Sequence, residues 1–178
     1  MADNEAGARP SESAGASKGD AKQPPQLRII AQYVKDLSFE NPHAPASLGA
    51  NQETPKIDAS VDVQAKRESD TDFEVTIKIS VTAKRADRTA FIIELLYAGL
   101  FRLQNIADNQ KQPIVLIECP RQLFPFARRV VADAIRDGGF PPLLLDPIDF
   151  AALYQKQMDT QQARQNEKNA APAPPTVN

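Results

Sequence analysis

The chain has 178 residues and 42% hydrophobic content, which indicates one small domain with enough apolar residues to form a core. The formal net charge is -2 and no basic stripe alternates with the aromatic residues, so the composition excludes a typical nucleic-acid-binding protein. With one cysteine and one histidine, the chain can form no internal disulfide and has too few such ligands for a structural zinc site.

The two ends of the chain differ in composition from its middle. Residues 1–26 contain no Val, Ile, Leu or aromatic residue, and such a segment cannot bury enough surface to fold, so we predict a disordered extension. The extension also lacks the apolar stretch of a secretion signal or anchor, and we expect a cytoplasmic protein that does not insert into membranes. Residues 166–178 are rich in Ala and Pro and predict a disordered tail, which leaves 27–165 as the folded domain.

Four segments predict β-strands. The first lies near 27–40, before a proline-containing stretch that must cross to the next strand. Residues 57–65 and 73–83 alternate apolar and polar side chains, which is typical of half-buried strands. Short polar connections join them to each other and to a fourth strand near 89–101, so strands two to four predict an antiparallel meander.

The remainder of the chain predicts helices. Apolar residues recur at helical spacing over 121–137, and the charged residues lie mostly on the opposite side. Gly138 and Gly139 are expected to end this helix with positive φ angles. Asp146 is the expected N-cap of a final helix, and 102–112 is interpreted as a loop. Strands followed by helices predict an α+β fold, a four-stranded antiparallel sheet with two C-terminal helices packed on one face.

Short segments throughout this domain combine aromatic residues, prolines and carboxylates. In chain order they are KDLSFE at 35–40 followed by Pro42 and Pro45, TAFIIE at 89–94, LFPFAR at 123–128, GGFPPL at 138–143, and Pro147 with Phe150. Together they resemble the SecB family of bacterial protein-export chaperones over roughly 27–158. The resemblance implies a cytosolic holdase that keeps precursor proteins unfolded and delivers them to the translocase motor ATPase SecA.

Strand alternation places Ile92, Glu94 and Leu96 together on one face of the fourth strand. Two aliphatic residues beside a carboxylate are unusual on the open face of a monomer, so we expect another subunit or a partner to cover them. The resemblance implies that the partner is the basic, zinc-bearing C-terminal segment of SecA. The positions that match its docking site are Asp36, Glu40, Ile92 and Glu94. Without the resemblance, Asp36 and Glu40 would be interpreted as ordinary solvated charges.

Client binding requires a long apolar groove with little sequence preference. The resemblance implies a groove between the sheet and the long helix, where the matching aromatic residues are Phe91, Phe126 and Tyr154. We add Phe124 and Phe140 because prolines and glycines interrupt regular structure around them. The alternative for each of the five is a position in the core.

The first predicted strand is an edge with unpaired backbone groups. The resemblance implies that this strand pairs with a second subunit and that two dimers stack through their long helices, which gives a homotetramer. One alternative function is a SecB-like chaperone dedicated to a single labile client such as an antitoxin. The carboxylates of the predicted docking site favour export, because a dedicated chaperone does not need to bind the motor.

A second alternative is an enzyme or a small-ligand carrier on an α+β scaffold. The sequence has no phosphate-binding glycine loop, no cluster of metal ligands and no nucleophile beside a base. Cys119 is predicted to be a small buried hydrophobe, and His43 a loop residue. We therefore expect no enzymatic activity and no cofactor.

Overall fold

The computed structural model describes residues 23–49, 53–86 and 88–170. Most of the predicted extension at 1–26, and the tail from residue 171 onward, lie outside these residues. In the described parts of these segments, residues 23–25 have no regular structure, the first strand begins at Gln26, and the last helix continues to Ala170. Among these residues, no helix combines the length and the hydropathy needed to cross a lipid bilayer.

In the residues that the structure describes, four long strands form a single antiparallel sheet, as predicted. In chain order they are β1 (Gln26–Glu40), β2 (Lys56–Arg67), β3 (Asp72–Arg85) and β4 (Arg88–Gln104). Their spatial order is β1-β4-β3-β2. The strands β2, β3 and β4 therefore form the predicted meander, and β1 and β2 are the two edges of the sheet.

Within the described part of the chain, three α-helices follow the sheet: α1 (Asp108–Pro113), α2 (Cys119–Asp137) and α3 (Phe150–Ala170). A π-helical turn, Ile114–Glu118, joins α1 to α2. The predicted loop at 102–112 is wrong except at 105–107, because the alternation of β4 continues through Leu103, which is 1% exposed, and α1 begins at Asp108. The predicted α+β fold is confirmed.

The core lies between α2 and one face of the sheet. The side chains of β3 and β4 that point toward α2 are excluded from solvent. They include Val75, Ile77, Ile79, Val81, Ile93 and Leu95. Leu123, Ala127, Val131 and Ile135 recur every four residues along α2 and are buried in the same core. Because burying a large aliphatic side chain contributes about 1.5–3 kcal/mol, the predicted amphipathic helix stabilises the sheet that it covers.

The two glycines after α2 have different roles, and the sequence prediction was right for one of them. Gly139 has a φ of +88°, a conformation that side chains disfavour. Gly138 instead has a φ of -72°. It is required for space, because a Cβ atom at Gly138 would lie 2.2 Å from the ring of Phe39. The centroid of the Phe39 ring lies 5.9 Å from that of Phe91 and 6.5 Å from that of Phe140, so the Phe39 ring has little room to move.

The final helix begins later than predicted. Asp149, not Asp146, caps α3, and its Oδ1 accepts hydrogen bonds from the backbone N–H groups of Ala151 at 3.0 Å and Ala152 at 3.1 Å. Phe150 is buried and packs edge-on against the ring of Phe124, with the two ring centroids 5.8 Å apart. This core contact fixes the start of the helix, so the aspartate directly before it becomes the cap.

We predict that Gly138→Ala lowers the melting temperature, with a cost of about 1–3 kcal/mol, because the new methyl group overlaps the Phe39 ring. Thermal unfolding followed by circular dichroism measures the change. The double variant Gly138→Ala with Phe39→Leu should recover part of the loss, because the smaller side chain frees space. A Gly138→Ala protein as stable as the original would contradict the packing described for this turn.

Candidate docking patch and client groove

The residues of the predicted SecA site lie together on the face of the sheet opposite α2, which we call the open face. Asp36 pairs with Leu96 and Glu40 pairs with Ile92, so Glu94 lies between these positions along β4. Diagonal neighbours of this kind are about 7–8 Å apart. The predicted strand parity is confirmed, and we call Asp36, Glu40, Ile92 and Glu94 the docking patch.

The carboxylates of the docking patch have few counter-charges. Glu94 is 51% exposed, and its Oε1 lies 3.8 Å from the ammonium of Lys78 and accepts a long hydrogen bond of 3.4 Å from Ser80. In the part of the chain that the structure describes, Asp36 and Glu40 form no ion pair. Because an exposed pair such as Lys78–Glu94 contributes little, the patch as a whole is negatively charged.

A group of three polar residues adjoins the patch. The carboxylate of Glu74 accepts a hydrogen bond from the Tyr33 hydroxyl at 2.5 Å and one from the Lys35 ammonium at 2.7 Å. The bond from Lys35, followed by the one from Tyr33, lowers the pKa of Glu74. The same bond to Glu74 raises the pKa of Tyr33 to about 12. Sequence analysis missed this group, because strict alternation places Tyr33 and Lys35 on the covered side of β1.

The five aromatic residues predicted for the client groove do not form one surface. Phe91 and Phe140 pack against each other with ring centroids 4.8 Å apart, and Phe124, on the buried side of α2, is 5% exposed. In the single chain these three are core residues. Phe126, which is 42% exposed, lies on the outer side of α2, and Tyr154 is half-buried on α3.

Among the described residues, three cavities lie in a row along the side of β2 that faces the helices, and we call these three together the β2 groove. The first, of about 770 Å³, lies between the end of β2, α1 and α3. The second, of about 560 Å³, lies between the middle of β2 and α3, and it shares Val63, Gln157 and Gln161 with the first. The third, of about 310 Å³, lies between the start of β2 and the loop after α2. Its walls include Ile57, Phe91, Phe140, Pro141, Pro142 and Leu143.

The groove exists because α2 covers the centre of the sheet and not β2. Ile57 is 37% exposed and Val61 is half-buried, although the residues paired with them on β3 are fully excluded from solvent. Sequence analysis missed the groove because β2 and β3 have the same alternation. One sequence signal could have revealed the groove. β2 carries Ala59 and Ala65 opposite valines of β3, so β2 has less apolar side-chain surface to bury than β3.

The isolated reactive residues have the structural roles expected for them. Cys119 is fully buried in the core, and burial raises the pKa of its thiol to about 12, which leaves it unreactive at neutral pH. His43 is exposed in the turn after β1. Within 23–49, 53–86 and 88–170, no group of three or more His, Cys, Asp or Glu residues could hold a metal ion.

The family model and the curated relatives that match this chain point to one protein family. The family model described as preprotein translocase subunit SecB matches residues 20–161. A protein-export protein SecB from Parvibaculum lavamentivorans is 57% identical over 143 residues, which are 80% of this chain and 83% of the relative. One from Maricaulis maris is 54% identical over 154 residues, which are 86% of this chain and 85% of that protein.

The fold also matches a solved structure, a SecB-like chaperone from Mycobacterium tuberculosis in complex with a peptide from the HigA1 antitoxin. The TM-score is 0.56 at 15% sequence identity, and the match covers 68% of this chain and 90% of the other. At this identity the likeness shows a shared fold. The family match and the close relatives show more: the chain belongs to the SecB family of protein-export chaperones.

Proposed function

We propose that the protein is a cytoplasmic holdase without enzymatic activity. It holds precursor proteins unfolded in the β2 groove and delivers them to the SecA motor ATPase through the docking patch. The observation that carries this proposal is the division of the sheet into two different surfaces. The side that bears α2 leaves apolar positions of β2 uncovered, and the open face presents carboxylates with few counter-charges.

The dimensions of the β2 groove suit an extended polypeptide. The 12 residues of β2 span about 40 Å at 3.3 Å per residue, which is enough for a segment of about ten residues. Its walls combine aliphatic and aromatic side chains with polar and charged ones, such as Gln157, Gln161 and Lys111. Such a lining binds apolar side chains without a sequence code, and a folded protein has already buried the groups that would enter it.

The docking patch suits a basic peptide that must bind and then leave. Carboxylates attract a basic segment over about 10 Å at moderate ionic strength, and the attraction weakens as salt rises. Ile92, which is half-buried between them, adds an apolar contact. These properties favour the basic C-terminal segment of SecA as the partner. They also favour a function in protein export over that of a chaperone dedicated to a single client.

Edge strand β1 supports assembly into a homotetramer. Several of its apolar side chains are 39–46% exposed. They are Ile29, Ile30, Tyr33, Val34 and Leu37. A long apolar edge favours pairing with another strand, and antiparallel pairing with the β1 strand of a second copy would cover it. Phe126 and the outer side of α2 then remain for contact between two dimers or with a client.

We predict that Glu94→Lys weakens binding to SecA by about 1–3 kcal/mol, because it reverses the central charge of the docking patch. Titration calorimetry measures the affinity, and rising salt should weaken the unmodified pair as well. Glu118→Lys is the matched control, since Glu118 is an exposed carboxylate at the start of α2, paired with Arg121. Loss of client capture or of assembly in Glu94→Lys, with SecA binding intact, would show that Glu94 is structural.

We predict that Ile57→Asn weakens capture of a reduced, unfolded model protein by about 1 kcal/mol, because it removes apolar contact area from the β2 groove. Asp58→Asn is the control, because the next residue on the strand points to the open face. Fluorescence anisotropy of a labelled client measures capture, and melting temperatures show whether both variants fold. Equal capture by the two variants would place client binding elsewhere.

We predict that multi-angle light scattering at micromolar concentration gives the mass of a tetramer for the original protein. Leu37→Lys should yield smaller species, because a charge on an exposed edge strand disfavours pairing. Phe126→Ser should yield dimers if the outer side of α2 joins two dimers, and tetramers with weaker capture if it contacts the client. A monomer mass for the original protein would contradict the proposed assembly.

A further inference from the structure

The contacts of Glu74 connect strands that are not neighbours in the sheet. Glu74 lies on β3, its partners Tyr33 and Lys35 lie on β1, and β4 runs between them. Tyr33 pairs with Ala98 of β4, whose side chain is small and fully buried. The phenol can therefore extend over β4 and reach the carboxylate on the far side.

Lys35 reaches Glu74 because β1 is irregular at this point. The pairing of β1 with β4 shifts register between Val34 and Asp36, so Lys35 is an extra residue without a partner on β4. A bulge of this kind redirects a side chain, and here it brings the lysine to the open face beside Asp36. The ammonium of Lys35 thus lies next in sequence to a carboxylate of the docking patch.

Glu74 is placed to hold that ammonium. Its side chain is only 13% exposed, and it bonds Lys35 at 2.7 Å while Tyr33 occupies its other oxygen. Asp36, by contrast, has no ion pair among the described residues. The lysine beside Asp36 is therefore bound by a carboxylate two strands away and not by its neighbour.

We propose that Glu74 is a positioning residue for the docking patch. It binds the Lys35 ammonium and so keeps Asp36 available to the cationic side chains of a docking peptide. This inference rests on the proposed function of the patch. Without Glu74, Lys35 would become an intramolecular counter-ion for Asp36 and would repel the basic peptide.

The test measures binding of a synthetic zinc-loaded peptide with the C-terminal sequence of SecA, by fluorescence anisotropy on the full chain. We expect Glu74→Gln to weaken binding about tenfold, which corresponds to one lost charge interaction at an interface. The double variant Glu74→Gln with Lys35→Ala should bind within about twofold of the original protein, because the released cation is gone.

Two controls separate charge from structure. Glu68→Gln removes an equal charge from the turn between β2 and β3, where Glu68 pairs with Lys66 at 2.7 Å, and it should leave binding unchanged. Tyr33→Phe keeps the Lys35–Glu74 pair and should also leave binding unchanged. Capture of an unfolded client should be the same in all variants.

Each outcome distinguishes one explanation. Rescue by Lys35→Ala supports the role of Glu74. Equal losses in the single and double variants would show that Glu74 only maintains the fold. Unchanged binding in Glu74→Gln would show that Lys35 does not compete with the peptide for Asp36. Either result overturns this inference but not the proposed function of the patch. Failure of the unmodified protein to bind the peptide would overturn the proposed function of the patch and this inference with it.

Discussion

The packing of α2 across the centre of the sheet is the contact on which the rest of the structure depends. The helix has 19 residues and is about 28 Å long, and its apolar stripe excludes solvent from the facing side chains of β3 and β4. It leaves the two edge strands partly uncovered. We propose that β1, at one edge, pairs with a second copy of the chain, and that β2, at the other edge, binds a client.

The open face is joined to the core through the same strands. Successive residues point to opposite faces, so Ile93 belongs to the core and Glu94 to the docking patch. A slip of one residue would exchange the two sets and would bury the charges. The aromatic cluster of Phe39, Phe91 and Phe140 anchors β1 in the correct register where it passes the end of α2.

Local patterns predicted most of the fold, and long-range contacts decided the rest. Alternation gave the strands, their faces and the position of Glu94, and helical spacing gave α2. Alternation could not reveal the bulge that brings Lys35 to the open face, because a bulge depends on pairing with another strand. The burial of Phe124, and the choice of Asp149 as a helix cap, likewise depend on a core contact made by Phe150. A sequence pattern identifies aromatic residues but not what will cover them.

The central claim is that clients and the motor use separate surfaces on opposite sides of one sheet. Its most direct test is the dissociation constant of the zinc-loaded C-terminal SecA peptide, measured with and without a saturating unfolded client. If the surfaces are separate, the dissociation constants with and without client should agree within about twofold, because the two sites then have little coupling free energy. A peptide affinity that falls in proportion to the client concentration would show competition for one surface and would contradict the account.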